Sequence, residues 1–177
     1  LWVTDAYDEL LARPDVDIVA VYTPDRLHAD QIERAFRAGK HVVCTKPLVN
    51  DASVAERLLK AAEESGCRLQ VGQSTRFYEP FLRQRELFEQ GGFGDVECYD
   101  AYYNHRMDWY YEKSPWSVSE THWAYLGLSH PVDLVRLYFA NNVTFDLTSF
   151  VGTPTPKSLV VNVPTSTPFG HALVRVR

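Results

Sequence analysis

The chain has 177 residues, 45% of them hydrophobic and 23% charged, with a formal net charge of −5. That is ordinary globular composition at the length of one large domain or of pieces of two smaller ones. It excludes disordered, collagenous and low-complexity classes. A mildly acidic chain without a basic cluster is not expected to bind nucleic acid. No apolar run approaches the roughly 20 residues of a membrane helix, so no membrane partner is expected, and the start shows no signal-peptide pattern. Cys44, Cys67 and Cys98 are odd in number and lack metal spacing. They read as reduced thiols in a cytoplasmic protein, with no metal site expected. Leu1 opens in mid-pattern and the alternating run 172–177 closes without a turn, so the chain is expected to be a fragment, incomplete at both ends.

The first 75 residues alternate helix and strand. Thr4 and Asp5 are expected to cap a short helix through Leu10 and Leu11, which Pro14 stops. Ile18 to Tyr22 is a continuous apolar run, the pattern of a strand buried on both faces, and Pro24 ends it. A helix follows with Ile32, Ala35 and Phe36 on one face and Gly39 as its C′ residue. His41 to Thr45 is the next strand, ended by Lys46-Pro47. A helix over about Ala52 to Ser65 carries Val54, Leu58, Leu59 and Ala62 and closes at Gly66. Cys67 to Gly72 is a third strand. The βαβαβ rhythm predicts a parallel, doubly wound α/β sheet with right-handed crossovers.

After residue 75 the rhythm changes, and 76–177 is expected to be a second, α+β domain. A helix over Glu79 to Glu89 precedes Gly91, Gly92 and Gly94. Asp95 to His105 alternates, with Tyr99, Ala101 and Tyr103 on one face, as in a strand with one exposed face. Residues 107–120 read as an aromatic-rich loop and Val132 to Tyr138 as part of a helix. Strand-like runs cover 143–151, 158–163 and 171–177, so the second domain is expected to hold a mostly antiparallel, open sheet.

In an open parallel sheet, ligands bind beyond the carboxyl ends of the strands. Those ends are Thr23-Pro24-Asp25, Thr45-Lys46-Pro47 and Gly72-Gln73. Lys46 can hydrogen-bond a substrate hydroxyl, and burial would lower its pKa toward useful proton transfer. The alternative is a solvated surface lysine. His28 sits near a helix start, where it can face a phosphate or be a partly buried capping histidine. In His130-Pro131-Val132-Asp133, Pro131 suits a first helical turn. His130 and Asp133 are three apart and share a helix face. Asp133 can then orient an imidazole that acts as general acid or base, or merely complement the helix dipole. Glu120 and His122 are candidates for the same pocket. His105, Arg106, Trp109, Tyr110, Tyr111 and Trp116 form an aromatic and cationic stretch that suits a sugar-like ligand or, equally, a subunit interface.

The run Asp17 to Pro24 with His28, the run Gly39 to Pro47, Val71-Gly72-Gln73 with Arg76-Phe77, and His130 to Arg136 together resemble one family. It is that of glucose–fructose oxidoreductase, inositol dehydrogenase and rhizopine catabolism (Gfo/Idh/MocA), and the resemblance runs to about residue 151. It implies an N-terminal Rossmann domain binding NAD or NADP, and a C-terminal domain whose open sheet pairs with a second subunit as a homodimer or homotetramer. It implies hydride transfer at a sugar or cyclitol carbon. Lys46 matches the lysine of the family's Glu-Lys-Pro motif, and His130 the histidine near the reacting hydroxyl. Thr23, Pro24, His28 and Gln73, with Lys46, match positions lining the cofactor. Arg76, Arg106, Trp116 and His122 are the candidate substrate contacts. Three departures stand out. The glycine-rich phosphate loop is absent from this stretch, Thr45 replaces the usual Glu, and Leu126 stands where many members carry Asp.

Three functions follow as expectations. The first is an NAD(P)-dependent oxidoreductase acting on a small sugar-like alcohol, with Lys46, His130 and Asp133 as catalytic residues. The second is a glycosidase that uses NAD as a transient hydride store. The third is a non-catalytic dinucleotide-binding sensor or regulator. The catalytic reading expects Lys46 and His130 within about 10 Å of each other, as shared proton transfer requires. The resemblance also raises the expectation of a cis Lys46–Pro47 bond, rare otherwise.

Overall fold

In the computed structural model, residues 2–95, 99, 101, 103 and 106–138 are described. The expected strands over 143–151, 158–163 and 171–177, Cys98, His105 and most of the expected strand Asp95 to His105 lie outside the described residues. The chain groups into two compact units. One is Leu1–Gly72 with Met107–Leu126, and the other is Gln73–Arg106 with Gly127–Arg177. Met107–Leu126, which the sequence division set with the second domain, thus packs in the first unit.

The first unit is built on a parallel sheet of three strands in the order β1-β2-β3: β1 Ile18–Val21, β2 His41–Thr45 and β3 Leu69–Gly72. Its register sets Val21 beside Cys44 and Cys44 beside Val71. Helix α1 (Tyr7–Leu11) precedes the sheet, α2 (His28–Arg37) links β1 to β2, and α3 (Ala52–Ser65) links β2 to β3. Ala6, rather than Thr4 or Asp5, is the N-cap residue of α1. Thr4 acts one step earlier, accepting from Ala6 N at 3.1 Å and donating to Glu9 Oε2 at 2.8 Å.

Helix α3 follows its capping chemistry closely. The Asp51 carboxylate accepts from Ser53 N at 2.8 Å, and Gly66 ends the helix with φ 68°, a conformation glycine adopts without steric cost. Ile32, Ala35 and Phe36 from α2 and Leu58 from α3 close over Val19, Val21, Val42 and Cys44. Ile32 and Leu58 are fully buried, each stabilising the unit by about 1.5–3 kcal/mol.

Three expectations about this unit are corrected. Strand β1 is buried on one face only: Val19 and Val21 are covered, whereas Ile18 is 58% exposed. Successive right-handed crossovers from β1 to β2 to β3 put α2 and α3 on the same face. Among the described residues both crossover helices therefore cover one side of the sheet. Leu59 points outward, 54% exposed, because one residue past Leu58 is about 100° around the helix. The stretch 107–120 is not a loop: it forms α5 (Asp108–Lys113) and α6 (Trp116–Ser119), followed by α7 (Trp123–Leu126).

The second unit contains a 3-10 turn (Ser74–Phe77), helix α4 (Glu79–Glu89) and helix α8 (Ser129–Tyr138). Pro131 lies in the first turn of α8, where its missing N–H costs nothing. Tyr138 ties α8 to α4 by donating to Gln84 Oε1 at 2.7 Å, with its ring centroid 5.8 Å from that of Phe88. Tyr99, Ala101 and Tyr103, expected on one face, are each at least partly buried.

Candidate active site

The carboxyl ends of β1 and β2 are bound together by one side chain. Beyond β1 the chain passes through Thr23 and Pro24 into a 3-10 turn (Asp25–Leu27) that runs directly into α2. His28, the first residue of α2, is 1% exposed. Its Nε2 lies 2.8 Å from Thr23 O, and its Nδ1 lies 3.0 Å from both Pro47 O and Leu48 O. Thr23 donates its hydroxyl to Gln31 Oε1 at 2.6 Å. The Lys46–Pro47 bond is cis, as expected.

Lys46 extends from this turn, half-buried, and donates from Nζ to Leu126 O at 2.5 Å. Burial alone lowers its pKa from the ordinary lysine value, because a low-dielectric setting disfavours the ammonium. The acceptor is the main chain of Leu126, whose own side chain can take no hydrogen bond.

The segment leading to Leu126 is fastened to the same strand ends. Thr121 donates to Asp25, Arg26 pairs with Glu120, and Asn50 Nδ2 reaches Glu120 O at 3.3 Å. Asp25 is 3% exposed, and its Oδ1 has no hydrogen-bond partner among the described residues. His122 is exposed, its Nδ1 accepting from Ala124 N at 3.2 Å, and Trp116 is half-buried at the start of α6.

In the second unit, His130 and Asp133 share a face of α8, as their spacing predicts, and both are buried. Their partners were not legible. Both Asp133 oxygens are taken by Arg76, at 2.5 Å from Nε and 2.6 Å from Nη2, a bidentate fork. His130 Nδ1 lies 3.4 Å from Thr75 Oγ1, and the ring sits 5.0 Å from that of Tyr103. Arg76, a candidate substrate contact, therefore spends its guanidinium on Asp133. Arg106 is exposed. Gln73 begins the turn before Arg76, and its Oε1 is buried without a hydrogen-bond partner among the described residues. Thr75, Asp25 and the Leu126 carbonyl are the groups that sequence reasoning missed; no local pattern marks a partner 55 residues or more away.

Lys46 lies in the first unit and His130 in the second. Within the first unit, a dinucleotide at the strand ends is suited by the half-buried Lys46 ammonium. His28 does not suit one: both its nitrogens are engaged by main-chain carbonyls and its ring is closed off from solvent. This is a correction to its expected role as a phosphate-facing, cofactor-lining residue.

A parallel sheet joined by crossover helices places the fold in the α/β class, whose ligand sites lie beyond the carboxyl ends of the strands. Residues 2–73 match the model of an oxidoreductase family with an NAD-binding Rossmann fold, and this stretch belongs to the Gfo/Idh/MocA family. Over 97 residues, 55% of the chain, it is 41% identical to a dTDP-3,4-didehydro-2,6-dideoxy-alpha-D-glucose 3-reductase of Streptomyces violaceoruber, covering 28% of that protein. Over 90 residues, 51% of the chain, it is 39% identical to an inositol 2-dehydrogenase of Rhizobium meliloti (strain 1021), covering 27%. The fold matches a crystal structure of scyllo-inositol dehydrogenase from Lactobacillus casei with bound NAD(H) and scyllo-inositol. That match has a TM-score of 0.73 and 20% identity, over 96% of this chain and 53% of the other. The match thus spans under a third of either curated relative. No helix among the described residues is long and apolar enough to cross a membrane.

Proposed function

We propose that the protein containing this chain transfers a hydride between NAD or NADP and a carbon of a sugar or cyclitol-like alcohol. The observation that carries this reading is Lys46. It is an amine with a lowered pKa, half-buried at the end of the central strand and aimed by a main-chain carbonyl, within the family-matching stretch. The nicotinamide supplies the hydride acceptor or donor. Thr23, Pro24, Lys46 and Gln73 line its site. Lys46 exchanges the hydroxyl proton of the substrate, and His130, with Arg76, Asp133 and Thr75 around it, is the second proton-handling group. Arg106, Trp116 and His122 remain the candidate substrate contacts. The names of the relatives, a deoxysugar reductase and an inositol dehydrogenase, support this substrate class. The second domain continues as an α+β fold whose mostly antiparallel, open sheet joins two or four copies, and the protein works in the cytoplasm.

The test is a screen of the full-length protein against sugars and inositols with NAD and with NADP, following reduced nicotinamide by absorbance. Net cofactor reduction or oxidation supports the reading. Cleavage of a glycoside without net cofactor turnover makes it the NAD-dependent glycosidase. Tight cofactor binding with neither activity makes it a sensor.

A further inference from the structure

We infer that His28 is a positioning residue for Lys46: its imidazole clamps the carbonyl oxygens of Thr23, Pro47 and Leu48, and so fixes the turn from which the lysine extends. All three carbonyls have left the strand ladder, and carbonyls at such depth need a donor. One ring faces both strand ends, at 2.8 Å on the Thr23 side and 3.0 Å on the Pro47 and Leu48 side. Carbonyls only accept, so the ring donates to both ends at once when each nitrogen carries a proton, and to one end as the neutral tautomer. The ring is 1% exposed and both nitrogens are engaged, so it has no free donor for a ligand. Its leverage on the lysine is short. Pro47 is bonded directly to Lys46, so a shift of the Pro47 carbonyl displaces the lysine backbone. At the far end Nζ must still reach Leu126 O at 2.5 Å. A displacement of about 1 Å in such a group costs on the order of 100-fold in rate.

The kinetic consequence rests on the hydride-transfer reading; the clamp itself does not. The experiment therefore has two arms on the full-length protein, with His28→Phe, which keeps ring volume and removes both nitrogens. In the first, the Lys46 ammonium is titrated by NMR with 13C-labelled lysine, its signal assigned by Lys46→Arg. Wild type is expected to titrate below ordinary lysine, and His28→Phe to move the titration back toward it. In the second, kcat is expected to fall about 10–100-fold in His28→Phe, with NAD and NADP affinity within about twofold. The same substitution made on top of Lys46→Ala is expected to change kcat less than about threefold, because the two residues act as one unit. If His28→Phe does not fold, His28→Gln, which retains an amide donor toward one strand end, is carried through both arms. An unchanged Lys46 titration, or an equal loss of kcat with and without Lys46, overturns the inference. A wild-type protein without any nicotinamide turnover sinks the functional reading, while the titration still decides the clamp.

Discussion

The two units hold their candidate proton-transfer groups by different means. In the first, Lys46 leans on the main chain of Leu126, and His28 beside it on Thr23, Pro47 and Leu48, even though side-chain pairs such as Thr121 with Asp25 lie nearby. In the second, side chain meets side chain across long stretches of sequence, Thr75 with His130 and Arg76 with Asp133. A main-chain acceptor survives substitution of its own side chain. An ion pair does not, since removing one partner leaves the other buried and uncompensated. The first unit is thus expected to lose chemistry when a polar residue is changed, and the second to lose stability.

The largest effect expected from this contrast is at Lys46. In the full-length protein, Lys46→Ala should lower kcat by about 10²–10⁴-fold, the usual worth of a positioned proton-transfer group. The pH dependence has a definite sign. A lowered pKa means the amine sheds its proton at lower pH than free lysine. The rising limb for alcohol oxidation should therefore come earlier than that of ordinary lysine and vanish in Lys46→Ala. A profile without such a limb breaks the assignment.

Next in size is the core of the first unit, where Leu58→Ala should cost about 3 kcal/mol by urea unfolding. Leu59→Ala, one residue on and exposed, should cost under about 0.5 kcal/mol. Equal effects would mean that the face of α3 is wrongly placed.

In the second unit, Arg76→Ala should cost about 2 kcal/mol. This is less than a fully buried pair because the guanidinium is 36% exposed and screened. Asp133→Asn leaves only the partly exposed Arg76 charge unpaired and should cost about 1 kcal/mol. The reverse order, measured in the same denaturation series, would place the pair's strength in the carboxylate's other contacts. The smallest effect is Asp51→Ala, about 1 kcal/mol or less for the lost N-cap of α3, read as a shift in the urea midpoint.

What could be read from the residues follows the same division. The bounds of α3 and β2 were legible because Asp51, Gly66 and Pro47 are local stop and start signals. The cation at the end of β2 was legible for the same reason. The contacts of His28 match neither sequence alternative: Leu27 is the N-cap residue of α2, and the ring instead meets the carbonyls of Thr23, Pro47 and Leu48, which no neighbour in sequence marks. The helices α5 and α6 were missed because their aromatic residues lack a one-sided apolar period; Trp109 and Val118 remain exposed. The exposure of Ile18 depends on where two crossover helices go, which the run itself does not encode. Arg76 and Asp133 lie 57 residues apart, and nothing in either neighbourhood marks the other.

Cys44 has a consequence of its own. It sits in the central strand, 0% exposed, and burial pushes its thiol up to about 12. Only a thiolate attacks a disulfide reagent, so this sulfur stays silent toward alkylating and thiol-exchange probes while β2 is paired on both sides. It becomes reactive only when the strand opens. In a background where Cys67 and Cys98 are serine, the labelling rate of Cys44 would then be a stopwatch for the rarest fluctuation of the sheet, the opening of its middle.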